Sequence, residues 1–143
     1  MNHKILKFIS EDKRFIINIP PACIEQLLSN IEGKDTETGG VVIGKYSEDL
    51  RTAFVEFISD EPPDSKSGFN WFIRGVKGLP QLFKRFKPQK SFYIGEWHFH
   101  PESSTNPSGT DKTQLSEIAF SNNYKCPEPI MIIIGGNIKK YKV

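Results

Sequence analysis

The amino-acid sequence predicts an α/β (α+β) fold, in which a central mixed β-sheet is flanked by helices. Segments of strand type alternate along the chain with segments of helical periodicity, in one array without internal repeats. The chain has 143 residues, a length at which one core is expected and two independent cores would be hard to build. We therefore expect residues 1–143 to form a single domain.

Local patterns predict the order of the elements. Runs rich in Val, Ile and Phe predict strands, and apolar residues at i, i+3, i+4 and i+7 predict helices. The predicted strands are Lys4–Ile9, Arg14–Ile19, Val41–Tyr46, Thr52–Ser59, Phe92–His100, Ile130–Ile134 and Ile138–Val143. The predicted helices are Ala22–Ile31, Val76–Phe86 and Gly109–Asn122. A loop is expected over Asp60–Gly68, and a turn at Gly135-Gly136-Asn137.

Composition and charge argue against several classes of protein. With 19 basic and 17 acidic residues the net charge is +2, without the basic excess of duplex-binding proteins, so we expect no nucleic-acid partner. The longest apolar run, Ile130–Ile134, is far shorter than the ~20 residues of a membrane span, so we expect no membrane association. Cys23 and Cys126 cannot form a disulfide framework. These observations predict a cytoplasmic protein.

Two histidines lie on one predicted strand. His98 and His100 are two residues apart, so their side chains share a face, with Cα atoms roughly 6.6 Å apart. Two imidazoles in this arrangement can bind one metal ion. Such pairs also arise by chance, with one histidine in the core and the other on the surface.

A third ligand can come from the start of the last predicted helix. Ser108 and Asp111 have the spacing of a capping box, which places the Asp111 carboxylate in the first helical turn. The loop Pro101–Pro107 is just long enough to bring that turn beside the strand end. Three protein ligands with one open position are typical of a catalytic zinc site.

Water activated by a metal also needs a proton acceptor. With both histidines assigned to the metal, a carboxylate is the expected base. Glu37 directly precedes Thr38-Gly39-Gly40 at the start of a predicted strand, where two glycines allow a close approach of the backbone. A solvated loop acid is the alternative interpretation of Glu37.

These residues together follow one known pattern. The pattern is His98-x-His100-Pro101, six residues and Ser108-x-x-Asp111, with Glu37 upstream before Thr38-Gly39-Gly40. It resembles the JAMM motif of the MPN (JAB, Mov34) metalloprotease family, and the order of predicted elements is similar to that family's fold over most of the chain. Gly95-Glu96-Trp97-His98 and the short length resemble the small prokaryotic branch, whose members accompany ubiquitin-like conjugation machinery, including CBASS anti-phage operons.

The resemblance implies a function and a role for each residue. His98, His100 and Asp111 would bind Zn2+, Glu37 would be the general base and proton shuttle, and Ser108 would hydrogen-bond the oxyanion. The implied enzyme is a zinc isopeptidase or peptidase acting at the C-terminus of a ubiquitin-like modifier or its conjugate. Conjugation enzymes of the same operon are the further partners it implies. A catalytically inert MPN-type binding scaffold and a metallohydrolase of a non-protein amide stay open as alternatives.

The neighbours of the motif carry further expectations. Phe99 stands where the family more usually has Ser or Thr; this matters little if the side chain faces away, whereas a bulge there would disturb the ligands. Trp97 and Phe99 should pack in the core on the opposite face. Glu96 either supports the ligands or is a rim charge, and Arg74 is a candidate contact for an acidic partner surface.

Overall fold

Seven strands form one mixed sheet in the computed structural model, which describes residues 4–102, 105–106, 108–120, 126, 128–137 and 140–142. The strands are β1 (Leu6–Ile9), β2 (Ile16–Ile19), β3 (Thr38–Tyr46), β4 (Thr52–Ile58), β5 (Lys66–Ser67), β6 (Phe72–Ile73), β7 (Phe92–Pro101), β8 (Ile130–Asn137) and β9 (Lys140–Lys142). The helices are α1 (Pro21–Ile31), α2 (Leu79–Phe86) and α3 (Gly109–Phe120), with a 3₁₀ turn at Lys87–Gln89. The predicted class is confirmed.

The sheet order is β1-β2-β4-β3-β7-β8-β9, so β3 and β7 lie near its centre. The pairs β2–β4 and β7–β8 are parallel, and the other neighbours are antiparallel. Strands β5 and β6 pair only with each other, as a separate two-stranded sheet. Because β3 and β7 are neighbours, the segment that carries Glu37 and the strand that carries both histidines meet at one end of the sheet.

Helices cover both faces of the sheet. Buried side chains of α1 pack with Trp97 and Phe99 on one face, which confirms the prediction that these two residues belong to the core. Residues of α2 and α3, including Leu79 and Ile118, pack with Val41 on the other face. Within the described ranges, every helix is too short or too polar to cross a bilayer.

Three predictions of local structure were wrong. The expected loop Asp60–Gly68 contains β5, which the sequence does not reveal because its partner β6 supplies the pairing. Helix α2 begins at Leu79 rather than Val76, since Pro80 is suited to a first turn. Strand β8 continues through the expected turn at Gly135-Gly136-Asn137, where residues pair with both β7 and β9.

Two predicted elements extend beyond what the structure describes. The predicted helix Gly109–Asn122 is described as far as Phe120, and the predicted last strand Ile138–Val143 is described over Lys140–Lys142. Residues 121, 122, 138, 139 and 143 lie outside the described residues.

A candidate metal centre between the central strands and α3

Strand β7 presents His98 and His100 on the same face of the sheet. Its pairing with β3 is unbroken from Gly95 to Phe99, and its pairing with β8 continues through Pro101. The register shift with β3 lies upstream, beside Ile94. Phe99 therefore points away from the histidines into the core, and is 2% exposed. The strand is not bulged at Phe99, so this departure from the family pattern leaves the two histidines on a common face.

The first turn of α3 holds Asp111 by reciprocal hydrogen bonds with Ser108. The Ser108 backbone N–H donates to Asp111 Oδ2 at 2.8 Å, and the Asp111 N–H donates to Ser108 Oγ at 3.0 Å. This is the capping box that the Ser-x-x-Asp spacing predicts. The cap fixes the Asp111 side chain toward β7, while the exposed Ser108 hydroxyl keeps a proton that it can donate.

The structure brings the side chains of His98, His100 and Asp111 into one buried cluster. His98 Nδ1 lies 2.9 Å from Asp111 Oδ1, and His100 Nε2 lies 3.3 Å from Asp111 Oδ2. One potential ligand atom from each residue lies within 4.8 Å of the others. His98 Nε2 is buried without a hydrogen-bond partner among the described residues. A buried nitrogen without a partner is costly, and two imidazoles with one carboxylate suit a divalent metal ion such as zinc.

The cluster also controls the charge of Asp111. Burial by itself would raise the pKa of this carboxyl, but the hydrogen bonds with His100, His98 and the Ser108 N–H hold it well below its usual range. The carboxyl is therefore ionised at neutral pH, as a metal ligand must be.

Glu37 lies at the edge of the cluster. Its Oε1 is 3.5 Å from His100 Nε2, and its side chain is 15% exposed. Burial, followed by the effect of Asp111, raises the pKa of Glu37, and the neighbouring His100 opposes this shift. The alternative interpretation of Glu37 as a solvated loop acid is wrong. A carboxylate with a raised pKa beside a candidate metal site suits transfer of a proton.

The two glycines after Glu37 allow β3 to approach β7. A Cβ at Gly39 would lie 2.8 Å from His98 Cδ2 and 2.9 Å from Phe72 Cε2. At Gly40 a Cβ would lie 2.6 Å from Trp97 Nε1, which donates a hydrogen bond to the Ser59 carbonyl. A Cβ essentially never lies this close to another nonbonded carbon, nitrogen or oxygen atom, so both positions favour glycine.

The structure also places four further residues at or near the cluster, and of these the sequence suggested a supporting role for Glu96 alone. Glu96 is fully buried and forms an ion pair with Arg74, and it also accepts a hydrogen bond from Tyr93. Phe72 packs edge-on against the His98 ring, with centroids 5.4 Å apart. The rim-charge interpretation of Glu96 and the expectation of a partner surface at Arg74 are therefore wrong. Alternation along β7 placed Glu96 beside His98, but no local pattern signalled Phe72 or Arg74.

Fold and site together define a mixed α/β protein with a candidate mononuclear metal centre between a central strand and a helix N-terminus. The sequence model of the family described as prokaryotic homologs of the JAB domain matches residues 25–143. The chain belongs to this family of JAB/MPN homologues, as the motif predicted.

Curated proteins of similar sequence carry hydrolase names. The chain is 44% identical to a CD-NTase/cGAS isopeptidase of Enterobacter hormaechei subsp. hoffmannii (strain UCI 50) over 139 residues, covering 96% of this chain and 77% of that protein. It is 38% identical to a CD-NTase/cGAS isopeptidase of Pseudomonas aeruginosa (strain BWHPSA011 / Pa011), and the match covers 90% of this chain and 82% of that protein. It is also 30% identical to the probable metalloprotease y4qB of Sinorhizobium fredii (strain NBRC 101917 / NGR234), and the match covers 85% of this chain and 76% of that protein.

A solved structure shares the fold. The solution structure of protein DSY2949 from Desulfitobacterium hafniense superposes with a TM-score of 0.63, over 85% of this chain and 77% of that one. The two sequences are 20% identical, so the likeness concerns the fold alone.

Proposed function

We propose that this chain is a zinc-dependent isopeptidase or peptidase that cleaves at the C-terminus of a ubiquitin-like modifier or its conjugate. The observation that carries the proposal is the buried cluster of His98, His100 and Asp111 with the Glu37 carboxylate 3.5 Å from His100. The complete set of candidate ligands and a candidate base argues for an enzyme rather than an inert scaffold.

His98, His100 and Asp111 are the residues that would hold the metal. Two histidines and one carboxylate are a ligand set that catalytic zinc centres use, and a zinc ion held by them would have room for water. The chemistry that zinc supplies at such a site is Lewis acidity, which polarises an amide carbonyl and makes water a nucleophile at neutral pH. The partnerless His98 Nε2 and the ionised Asp111 support this assignment.

Glu37 and Ser108 would carry the rest of the reaction. Glu37 accepts a proton from the attacking water as the new C–O bond forms, and gives that proton to the amine nitrogen as the C–N bond breaks. Ser108 donates a hydrogen bond from its hydroxyl to the oxyanion of the tetrahedral intermediate. The cap with Asp111 keeps this hydroxyl at the same helix end as the ligand.

The relatives support a protein conjugate as the substrate. Two of them are named CD-NTase/cGAS isopeptidase, so we extend the proposal to an isopeptide bond between a ubiquitin-like modifier and a CD-NTase-type protein. A CBASS anti-phage setting, conjugation enzymes of the same operon as partners and a cytoplasmic location complete the proposal. Residues 1–143 would act as one catalytic domain.

The test uses a purified CD-NTase-type protein linked through a lysine to a ubiquitin-like modifier, together with a linear fusion of the two. Zinc-loaded wild-type chain should cleave the isopeptide bond, and Glu37→Gln should reduce kcat by about 10²–10⁴-fold, since general acid–base catalysis supplies that much. Glu48→Gln is the matched control, because Glu48 is an exposed acid in the turn between β3 and β4. Equal cleavage by Glu37→Gln and wild type would refute the mechanism.

The same assay separates the alternatives. An inert scaffold would bind the conjugate and leave it intact, with no zinc in the purified chain. A metallohydrolase of a non-protein amide would contain zinc and hydrolyse small acylated amines while leaving the conjugate intact. Either outcome would contradict the proposed isopeptidase.

A further inference from the structure

A buried ion pair lies next to the candidate metal centre, and the proposed reaction does not use it. The side chains of Arg74 and Glu96 are 3% and 0% exposed, and Arg74 Nε donates directly to Glu96 Oε1. Tyr93 donates to the second oxygen, Glu96 Oε2. Both carboxylate oxygens are therefore engaged in the interior, two residues along β7 from His98.

Such a pair is a poor source of stability. Removing two charges from water costs several kcal/mol per ion, and replacement of a buried pair by well-packed hydrophobic residues of similar volume is often neutral for folding. A buried pair can instead select one arrangement of the elements that it joins. Here Glu96 is on the strand that carries His98 and His100, and Arg74 directly follows β6.

The element that Arg74 joins to β7 has little structure of its own. We call residues 66–73, comprising β5, β6 and the turn between them, the ribbon. Its two strands pair over two residues each, and such a short hairpin is marginal in isolation. At the base of the ribbon, the Gly75 N–H donates to Ser65 Oγ, and Asp64 accepts from the N–H of Val76. These hydrogen bonds close the ribbon but do not join it to β7.

The ribbon contacts both parts of the candidate site. Phe72 in β6 lies edge-on to the His98 ring at 5.4 Å, with an interplanar angle of 78°. The Gly68 carbonyl accepts a hydrogen bond from the Glu37 N–H at 3.0 Å. A metal-binding histidine is normally oriented by a hydrogen bond from its second nitrogen to an outer partner. Among the described residues, Asp111 is the hydrogen-bond partner of His98, so ring packing has to supply the remaining orientation.

We propose that Arg74, Glu96 and Phe72 are positioning residues: the Arg74–Glu96 pair holds the ribbon against β7, so that Phe72 orients His98 and Gly68 orients Glu37. This inference rests on the proposed function, because it concerns the same metal centre. It assigns the ribbon a role that local sequence patterns do not reveal. Loss of the pair should loosen the ribbon and disturb metal binding, while the sheet and its core stay folded.

The experiment compares the wild-type chain with Arg74→Met/Glu96→Gln, which leaves no unpaired buried charge and keeps an acceptor for Tyr93. Cobalt(II) replaces zinc as a probe, because its visible absorption reports ligand geometry. The matched control is Lys45→Met/Glu56→Gln. Glu56, on β4, also receives one cation, from Lys45 at 3.4 Å, and one hydroxyl, from Ser91. This more exposed pair lies beside the end of β3 that is far from His98.

The double variant should unfold at nearly the wild-type temperature, bind cobalt about 10–100-fold more weakly and show a changed absorption spectrum. Its kcat should fall more than its KM changes. In the metal-free protein, trypsin should cleave several-fold faster after Lys66, because the ribbon opens without global unfolding. The control variant should match wild type in every measurement.

Phe72→Leu is the second variant, and it tests the role of the ribbon if Arg74→Met/Glu96→Gln does not fold. It keeps an apolar side chain over His98 but removes the ring, and it should reproduce the change in the cobalt spectrum and affinity. A wild-type spectrum and affinity in the folded variants would overturn the inference and leave the proposed function intact. A wild-type chain that takes up no cobalt or zinc would overturn the proposed function, and this inference with it.

Discussion

Replacing Gly39 with alanine should separate metal binding from folding in this protein. Gly39 lies on β3 directly opposite His98 on β7, where the two strands meet at the candidate metal centre. The substitution adds one methyl group and no charge. Its effect should therefore come from the displacement of atoms that touch the new methyl group.

The size of the effect follows from the contacts at this position. The added Cβ would lie 2.4 Å from the Trp97 carbonyl oxygen, 2.8 Å from His98 Cδ2 and 2.9 Å from Phe72 Cε2, whereas carbon atoms pack at roughly 3.5–4.0 Å. The β7 backbone at Trp97 and the His98 ring therefore both have to move, the ring by roughly 0.7 Å, while metal–ligand distances tolerate about 0.2 Å. We expect the zinc dissociation constant to rise about 10–100-fold, and overpacking to cost about 1–3 kcal/mol of stability.

Urea denaturation at fixed free zinc measures both effects. In the metal-free protein, Gly39→Ala should lower the free energy of unfolding by the overpacking cost. With zinc in excess, the stabilisation by zinc should be smaller than in wild type by about 1.4–2.7 kcal/mol, which corresponds to the expected change in affinity. Gly109→Ala is the control, because a Cβ there meets nothing within 4 Å.

Wild-type zinc stabilisation in Gly39→Ala would refute the reasoning. That result would mean that His98 either does not bind the metal or moves freely enough to absorb the methyl group. A loss of zinc stabilisation in Gly109→Ala as well would show that the assay reports something other than contact with His98.

Three further changes test other parts of the structure. Trp97→Phe removes the hydrogen bond from the fully buried indole to the Ser59 carbonyl and should cost about 1–3 kcal/mol in urea denaturation; an unchanged midpoint would contradict this. Ser108→Ala should cost about 1 kcal/mol through loss of the helix cap and lower kcat about 10²–10³-fold with little change in KM, so unchanged steady-state kinetics would exclude the oxyanion role. Burial raises the pKa of the Cys23 thiol to about 11, so the unfolded chain loses this proton first as pH rises above 9. The free energy of unfolding of wild type, measured relative to that of Cys23→Ala, should therefore fall by roughly 2 kcal/mol between pH 8 and pH 11. If this difference between the two proteins did not change with pH, the raised pKa of Cys23 would be refuted.

The elements that local patterns predicted are those whose stability is largely local. The helical spacing of Ile24, Leu27 and Ile31 predicted α1 to within one residue of its start, because the apolar stripe and the preceding prolines act within the same segment. The alternation around His98 predicted the two faces of β7. The spacing of Ser108 and Asp111 predicted the capped start of α3 for the same reason.

The errors lie where distant segments decide the structure. The turn expected at Gly135-Gly136-Asn137 is instead part of β8, because pairing partners on both sides outweigh the weak strand preference of glycine. Arg74 was a candidate contact for a partner surface, but its partner Glu96 is 22 residues away on β7. A buried ion pair of this kind has no local signature in sequence.

The candidate site could be predicted because most of its residues are close together in the sequence. His98, His100 and Asp111 lie in one short segment, so strand alternation and the helix cap were enough to bring them together. Glu37 came from the resemblance to the family, and the structure places it 3.5 Å from His100. The support from Phe72 could not be predicted, because β6 reaches His98 through tertiary packing alone.

Anomalous diffraction at the zinc absorption edge, from crystals of the zinc-loaded protein, tests the central claim most directly. We predict one strong peak, bonded at about 2.0–2.2 Å to nitrogen atoms of His98 and His100 and to an Asp111 oxygen, with the Glu37 carboxylate facing the remaining position. A peak bonded to other residues, or the absence of a peak in crystals whose solution contains zinc, would contradict the account.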